Sequence, residues 1–489
     1  MYLGIDLGTS ELKAILVDSE QQATLASAGV KLEISRPRPQ WSEQAPETWV
    51  LALHRALDAL RATAPAALAA VRGIGISGQM HGAVLLNDKR EVLRPAILWN
   101  DTRSFAECAA LEAAVPESRE ITGNLMMPGF TAPKLAWLRQ HEPALFAQVA
   151  TVMLPKDFLV QHLTGERVTD LSDAAGTGWL DVAARDWSDR MLTATGLTRA
   201  QMPQLAEGCA AVGALRDELR QRWGIAQPVV VAAGAADNAA AAIGVGAVSN
   251  GRALVSLGSS GVILAATERF APNPAQAVHA LCHAVPARWY QMTVTLSATT
   301  SLTWAARLCG HANDAGFAAL AADADTTAAP IFLPYLNGER TPHNDASALG
   351  MLFGLSTRTD TAALAYAVLE GVAFSLADGN AALQAAGTQI EQATVVGGGA
   401  NSRHWTELVA AACGFALARP AGGDRGGAFG AARLARLAHT GEAIEAVCIP
   451  MVTETLIAPN AALRERLAPR YERYKRLYAL NRAEFSSAV

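Results

Sequence analysis

At 489 residues the chain exceeds one ordinary domain, and 51% hydrophobic against 17% charged residues gives it enough apolar material for two sizeable cores. That balance excludes a disordered chain, and a net charge of −5 excludes the cation surplus that sequence-independent nucleic-acid binding requires. A small-molecule partner is the reading that remains.

The opening reads as a β-meander, with apolar runs at residues 2–6, 12–17 and 24–34 joined by Gly8-Thr9-Ser10 and by Asp18-Ser19-Glu20-Gln21. From Pro46 the spacing turns helical through Trp49, Val50, Leu53, Leu57 and Leu60, with Pro46 suited to a first turn. Strand-like runs at 73–77, 83–86 and 150–154 then alternate with helical stretches at 104–114 and 133–140. This predicts an α/β architecture whose largely parallel or mixed sheet is covered on both faces. The run 229–250 is apolar but mostly Ala and Gly around Asp237, so no membrane span is expected there. The final segment, 461–489, is charged and helix-like.

Cys108, Cys209, Cys282, Cys309, Cys413 and Cys448 lie far apart, without zinc or redox spacing. They read as reduced thiols, and Cys282-His283 as buried filler. Residues 1–6 lack the basic stretch and long apolar core of a secretory leader, so a cytoplasmic location is expected.

An echo organises the chain. Gly4-Ile5-Asp6-Leu7-Gly8-Thr9-Ser10 is matched by Leu254-Val255-Ser256-Leu257-Gly258-Ser259-Ser260-Gly261, each a strand, a Leu-Gly-hydroxyl turn and a second strand. Two similar lobes are predicted, 1–247 and 248–489, each opening on a hairpin. Turns built of Gly8, Thr9, Ser10 and of Gly258, Ser259, Ser260 offer backbone N–H groups and hydroxyls that suit phosphate oxygens. Asp6, at a strand end beside such a turn, is the candidate ligand for Mg²⁺, a hard cation that keeps waters.

No Walker A motif is present. Gly73-Ile74-Gly75-Ile76-Ser77-Gly78 has dinucleotide-fingerprint spacing but lies within an apolar run and precedes another strand, so that reading is rejected. Gly397-Gly398-Gly399-Ala400-Asn401-Ser402 follows a strand and precedes a helix, a place for phosphate or ribose. Asp237-Asn238 interrupts an apolar passage, where a carboxylate either caps the Ala-rich helix or is held ready to accept a proton. Gln79-Met80-His81 and Asp101 each follow strand-like runs, as ligand-facing groups do. His81 taken alone also fits a structural histidine, and Asp101 with Arg103 also fits a helix start.

Together these segments resemble the FGGY family of carbohydrate kinases, within the actin-like ATPase superfamily. The resemblance extends through Gln40-Trp41-Ser42-Glu43-Gln44, residues 123–134, Leu154-Pro155-Lys156-Asp157, Ser172-Asp173-Ala174-Ala175-Gly176-Thr177 and Gly338-Glu339-Arg340-Thr341-Pro342-His343. It implies two ribonuclease-H-like lobes flanking a cleft, sugar mainly on the first and ATP mainly on the second. It further implies Asp237 as catalytic base and Asp6 near Mg²⁺. Gln79, Met80, His81, Asn238 and Asp101 would lie on the sugar side, and Gly258, Ser259, Gly398, Gly399 and Asn401 on the nucleotide side. The activity implied is ATP-dependent phosphorylation of D-xylulose, with ribulose, gluconate or glycerol as rival acceptors and an actin- or chaperone-like ATPase as a rival class. The family often pairs through its second lobe, which leaves a homodimer open. Glu11 stands where the family has a glycine, Gly234-Ala235-Ala236 replaces a richer glycine run, and Ser259 replaces a threonine.

Overall fold

The structure is a computed structural model that describes residues 1–421 and 426–487. Its first half forms β1 (Tyr2–Leu7), β2 (Glu11–Asp18), β3 (Ala23–Lys31), α1 (Pro46–Thr63), β4 (Gly73–Gly78), β5 (Ala211–Ala214), β6 (Val230–Ala232) and α2 (Asp237–Val245). These strands lie in the order β5-β6-β4-β1-β2-β3, with Ala235–Ala236 as a seventh strand beside β4. The second half forms β7 (Arg252–Leu257), β8 (Gly261–Thr267), β9 (His279–Cys282), β10 (Trp289–Thr295), α3 (Thr299–Leu308), α4 (Thr361–Ala385), β11 (Gln392–Val396), α5 (Arg403–Cys413), β12 (Ala416–Pro420), α6 (Gly426–Thr440), β13 (Thr453–Ile457) and α7 (Ala461–Ser487). Its seven strands run β9-β10-β8-β7-β11-β12-β13.

The two sheets repeat one plan. In each, a run of antiparallel strands, three in the first sheet and four in the second, is followed by two strands parallel to the last of that run and then by an antiparallel edge. The echo in the sequence is therefore an echo in topology, with β9 added at the edge of the second sheet and a further difference at the hairpins. Leu7 faces Leu12 and leaves four residues in the first turn, whereas Leu257 faces Gly261 and leaves three in the second. Glu11 begins β2, paired with Lys31 of β3, and has no positive φ. The third predicted strand is shorter than its apolar run and ends at Lys31.

Helix α1 buries Trp49, Leu53, Leu57 and Leu60 on one face, while Val50 is only half-buried. Among the described residues α4 is the one helix long and apolar enough to cross a membrane, and 89% of that stretch is buried inside the fold. Asp360 caps it by accepting from the Ala363 N–H at 2.8 Å. Helix α7 packs on α4 and α5 of the second lobe, with Arg470 forking onto the buried Glu370 carboxylate (2.6 and 2.7 Å) and Tyr474 bonded to Tyr335 (2.8 Å). Residues 488–489 of that helix-like segment lie outside the described residues.

Helix α6 comes from the second half of the chain yet lies on the first sheet, against β1, β4 and α2. The glycines of the rejected fingerprint explain the fit. A Cβ at Gly4 or Gly75 would land on the carbonyl oxygens of Ala428 and Ala431, and one at Gly73 would press on that of Ala435. Bare strand backbone lets the helix backbone approach where any side chain would hold it off. Helices α2 and α6 meet equally closely, since a Cβ at Gly430 would strike the Ala240 carbonyl.

Candidate active site

Asp237 is the first residue of α2, and Ala236, in extended conformation, occupies the cap position. The carboxylate therefore does not cap the helix as the sequence allowed. Its Oδ1 accepts instead from the Asn238 N–H (2.6 Å) and Nδ2 (2.9 Å). Protein atoms surround the side chain, but it keeps a path to solvent. Burial, followed by the charge of Asp6, pushes its pKa up to about 7, against the pull of the two Asn238 donors. Asp6, near the end of β1, accepts at Oδ1 from Ser77 Oγ on the adjacent β4 (2.7 Å). The fold thus brings together these two carboxylates from opposite ends of the first half. Among the described residues no cluster of three or more His, Cys, Asp or Glu side chains forms a closed metal cage. Two partly exposed carboxylates suit a divalent ion that keeps most of its waters and arrives with a ligand.

Gln79, Met80 and His81 continue β4, but they face different ways. The Gln79 amide is buried and used at both ends: Oε1 accepts from Thr9 Oγ1 (3.0 Å) and Nε2 donates to Gln44 Oε1 (3.0 Å). It braces the first hairpin turn from behind, helped by Trp99 Nε1 donating to Thr9 Oγ1 (2.9 Å). Met80 is buried, whereas His81 is partly exposed with φ +70°, a left-handed backbone seldom adopted outside glycine. Lys134 holds it there: its fully buried Nζ donates to the His81 carbonyl (2.8 Å) and to that of Gly129 (2.8 Å), and burial drives its pKa down to about 7.

The His81 ring contacts the Gly176 carbonyl through Nδ1 at 2.6 Å. A carbonyl only accepts, so Nδ1 carries the hydrogen. Burial and the Lys134 charge hold the imidazole pKa down to about 3, leaving Nε2 as a bare acceptor. Any side chain at Gly176 would strike Met80 and His81.

Asp101 is engaged elsewhere, although its charge bears on Lys134. It is fully buried, and its carboxylate accepts from the Ser42 N–H (2.6 Å) and from Arg103 through N–H (3.0 Å), Nε (2.9 Å) and Nη2 (2.6 Å). The Arg103 guanidinium lies 3.5 Å over the Trp41 ring, which closes the cluster. The helix that follows begins only at Phe105.

The second-lobe candidates do converge. Gly397 has φ +89°, and a Cβ there would strike Leu257 and Gly258, so the glycine turn after β11 rests on the hairpin turn after β7. Carbonyls of Gly258 and Ser259 accept from the N–H groups of Thr299 (2.9 Å) and Ala298 (2.8 Å) at the start of α3. Gly398, Gly399 and Asn401 form a single 3₁₀ turn ahead of α5 and border a cavity of about 590 Å³, with Thr299, Leu302 and Ala318 on its apolar wall. Nothing lies within 4 Å of the position of a Cβ on Gly398, which leaves that surface flat and open. Gly8, Thr9 and Ser10 belong to the other lobe, beside Gln79.

One buried cluster was not singled out from the sequence. Lys156 Nζ sits 2.5 Å from Asp157, 2.8 Å from Asp170 and 3.8 Å from Asp173, all four side chains fully buried. Three carboxylates around one ammonium cannot all ionise in so dry a space. Burial pushes Asp173 well above the usual carboxylate range, while the acidic neighbours raise Lys156 despite its burial. Asp170 accepts from Ser172 Oγ, which in turn accepts from the Ala236 N–H (3.1 Å), one residue before Asp237. Lys156, Asp157, Ser172 and Asp173 stand in motifs of the family resemblance, and Asp170 lies two residues before one of them. Buried lysines carry no local signature, because only the folded partners make them affordable.

The family model for the N-terminal domain of the FGGY family of carbohydrate kinases matches residues 1–244, and the model for its C-terminal domain matches residues 253–439. A xylulose kinase of Escherichia coli (strain K12) is 51% identical over 480 residues, covering 98% of each chain. One of Klebsiella pneumoniae is 50% identical, covering 98% of this chain and 99% of its own. A crystal structure of a xyloylose kinase from Brucella ovis superposes with a TM-score of 0.96 at 49% identity, covering 99% of both chains. The repeated sheet plan is thus the two-domain, actin-like architecture of solved sugar kinases, and the chain, matched over both halves, belongs to the FGGY family of carbohydrate kinases.

Proposed function

We propose that the protein transfers the γ-phosphoryl group of ATP to the terminal hydroxyl of D-xylulose, giving D-xylulose 5-phosphate and ADP. The observation that carries this reading is Asp237, a solvent-reachable carboxylate whose pKa lies near 7. Such a group is ionised in a substantial fraction at neutral pH yet basic enough to accept a hydroxyl proton. The acceptor is chosen on the full-length relatives named xylulose kinase.

In this mechanism Asp237 takes the proton of the sugar O5 as that oxygen bonds to the γ-phosphorus. The bond from the γ-phosphorus to the bridging oxygen breaks, and ADP leaves. Asn238 orients the base through its two bonds to Oδ1. Neutral His81 accepts a hydrogen bond from a sugar hydroxyl at Nε2, with Met80 as the apolar wall beside it. Gly258, Ser259, Ser260, Gly398, Gly399 and Asn401 hold the nucleotide, and Gly8, Thr9 and Ser10 meet its phosphates from the first lobe. Asp6 would hold Mg²⁺, which when bound neutralises charge developing on the transferred group. Gln79 and Asp101 act as supports, Gln79 for the first turn and Asp101 for the segment around Trp41. In this division residues 1–247 carry the sugar and 248–489 the nucleotide, with α6 lent by the second part to the first.

The test is a coupled ADP-release assay with ATP over D-xylulose, L-ribulose, D-gluconate and glycerol. D-Xylulose is expected to give the highest kcat/KM, with slow ADP release when no sugar is present. Preference for another acceptor would move the chain within its family, and ADP release indifferent to every sugar would defeat the kinase reading.

A further inference from the structure

The segment Gly338-Glu339-Arg340-Thr341-Pro342-His343 plays no part in the chemistry above, yet it is strapped to the second sheet. Glu339 and Thr341 are only 2% and 1% exposed. The Glu339 carboxylate accepts from Thr295 Oγ1 (2.6 Å), the Leu296 N–H (3.0 Å), Ser375 Oγ (3.0 Å) and the Arg340 N–H (2.7 Å). The Thr341 N–H donates to the Val294 carbonyl (3.1 Å), while its hydroxyl accepts from the Val294 N–H (3.2 Å) and donates to the Ala277 carbonyl (2.9 Å). Successive side chains in a non-helical segment diverge, so fixing 339 and 341 into the lobe aims Arg340 outward from it.

Arg340 is partly exposed, and its guanidinium makes no hydrogen bond or ion pair among the described residues. Its neighbour Thr341 is bonded to Ala277, two residues before His279 of β9, and the Arg340 charge bears on the imidazole of His279 and, from the first lobe, on that of His81. The Phe130 ring lies between those imidazoles, 5.0 Å from His81 and 6.0 Å from His279, centroid to centroid. His279 is already engaged through Nδ1 with Asn124 Oδ1 (3.1 Å). A partly exposed guanidinium with five donors and no protein acceptor is free to give its hydrogen bonds to water or to the oxygens of a ligand that displaces it.

We propose that Arg340 is the second lobe's contribution to the sugar site, donating hydrogen bonds to hydroxyl or carbonyl oxygens of the ketose held beside His81. This rests on the sugar-kinase reading above. The chemistry is complementary: sugar hydroxyls both donate and accept, and they would meet a bare imidazole nitrogen on one side and a fork of N–H groups on the other. Because His81 and Arg340 belong to different lobes, a sugar bridging them favours the arrangement in which both reach it. Acceptor binding would then itself draw the cleft closed.

The full-length Arg340→Met and Arg340→Lys variants test this by steady-state kinetics, calorimetric ketose binding and thermal melting. For Arg340→Met the ketose KM and Kd are expected to rise at least about tenfold while the ATP KM moves less than about twofold. Arg340→Lys should recover part of the loss, since it keeps the charge without the fork. Unchanged ketose affinity overturns the proposal. So do equal rises in both KM values with a lowered Tm, which mark a structural role. A wild-type protein that phosphorylates no ketose defeats the kinase reading instead, and calorimetric binding of D-xylulose to wild type and Arg340→Met then decides the role of Arg340.

Discussion

Burial first, and then the negative charge of Asp6, raises the pKa of Asp237, the proposed base. With the base active only when ionised and its pKa about 7, log kcat/KM should fall with decreasing pH below about pH 7. Asp237→Asn should retain sugar binding and lose roughly 100-fold or more in kcat, as removal of a positioned base does. The same substitution should stabilise the fold. The folded pKa lies above the unfolded 3.8, so the native state holds a proton that the unfolded state releases. Stability from this group is complete below pH 3.8 and lost as pH rises to about 7. The Tm gain of Asp237→Asn over wild type should therefore be larger at pH 8 than at pH 5.5, read by calorimetry, and an equal gain at both would contradict the raised pKa. His81 was legible as a candidate because it follows a strand. Its left-handed backbone and its lock by Lys134 were not, since both depend on a helix some fifty residues away in sequence.

At the scale of elements, α6 against β1 and β4 shows where local pattern stops. The meander, α1 and the paired hairpins could be read off two-residue and helical periodicity. The purpose of Gly4, Gly73 and Gly75 could not, because the backbone they accommodate lies at Ala428–Ala435, at the other end of the chain. Local spacing suggested a nucleotide fingerprint, and only its setting inside a strand argued against one. For Asp101 the sequence left two readings, a ligand-facing carboxylate after a strand or a helix start with Arg103, and the structure shows Arg103, two residues on, folded back onto that carboxylate. Gly75→Ala should cost about 3 kcal/mol in urea unfolding, because a Cβ there must displace helix backbone and no rotamer relieves it. Gly398→Ala should leave stability nearly unchanged, since the new methyl meets nothing within 4 Å, while raising the ATP KM by entering the cavity proposed to hold the nucleotide. A matching loss of stability in both variants would remove the argument from helix docking.

For the whole molecule, a fragment of residues 1–247 should not fold to a stable monomer. Its sheet would expose the glycine-lined face that α6 covers, and α2 would lose its partner. Strong dye binding by such a fragment, quenched on adding a peptide spanning residues 426–440, is the expected result, and a cooperative, dye-silent unfolding transition would contradict it. Placing helix α6 on the first sheet has a further consequence for how the halves can move. The backbone passes from one half to the other between α2 and β7, returns between β12 and α6, and leaves again between α6 and β13. Three covalent crossings resist sliding and separation far more than a single linker would, so the freedom left is a bending of one half against the other.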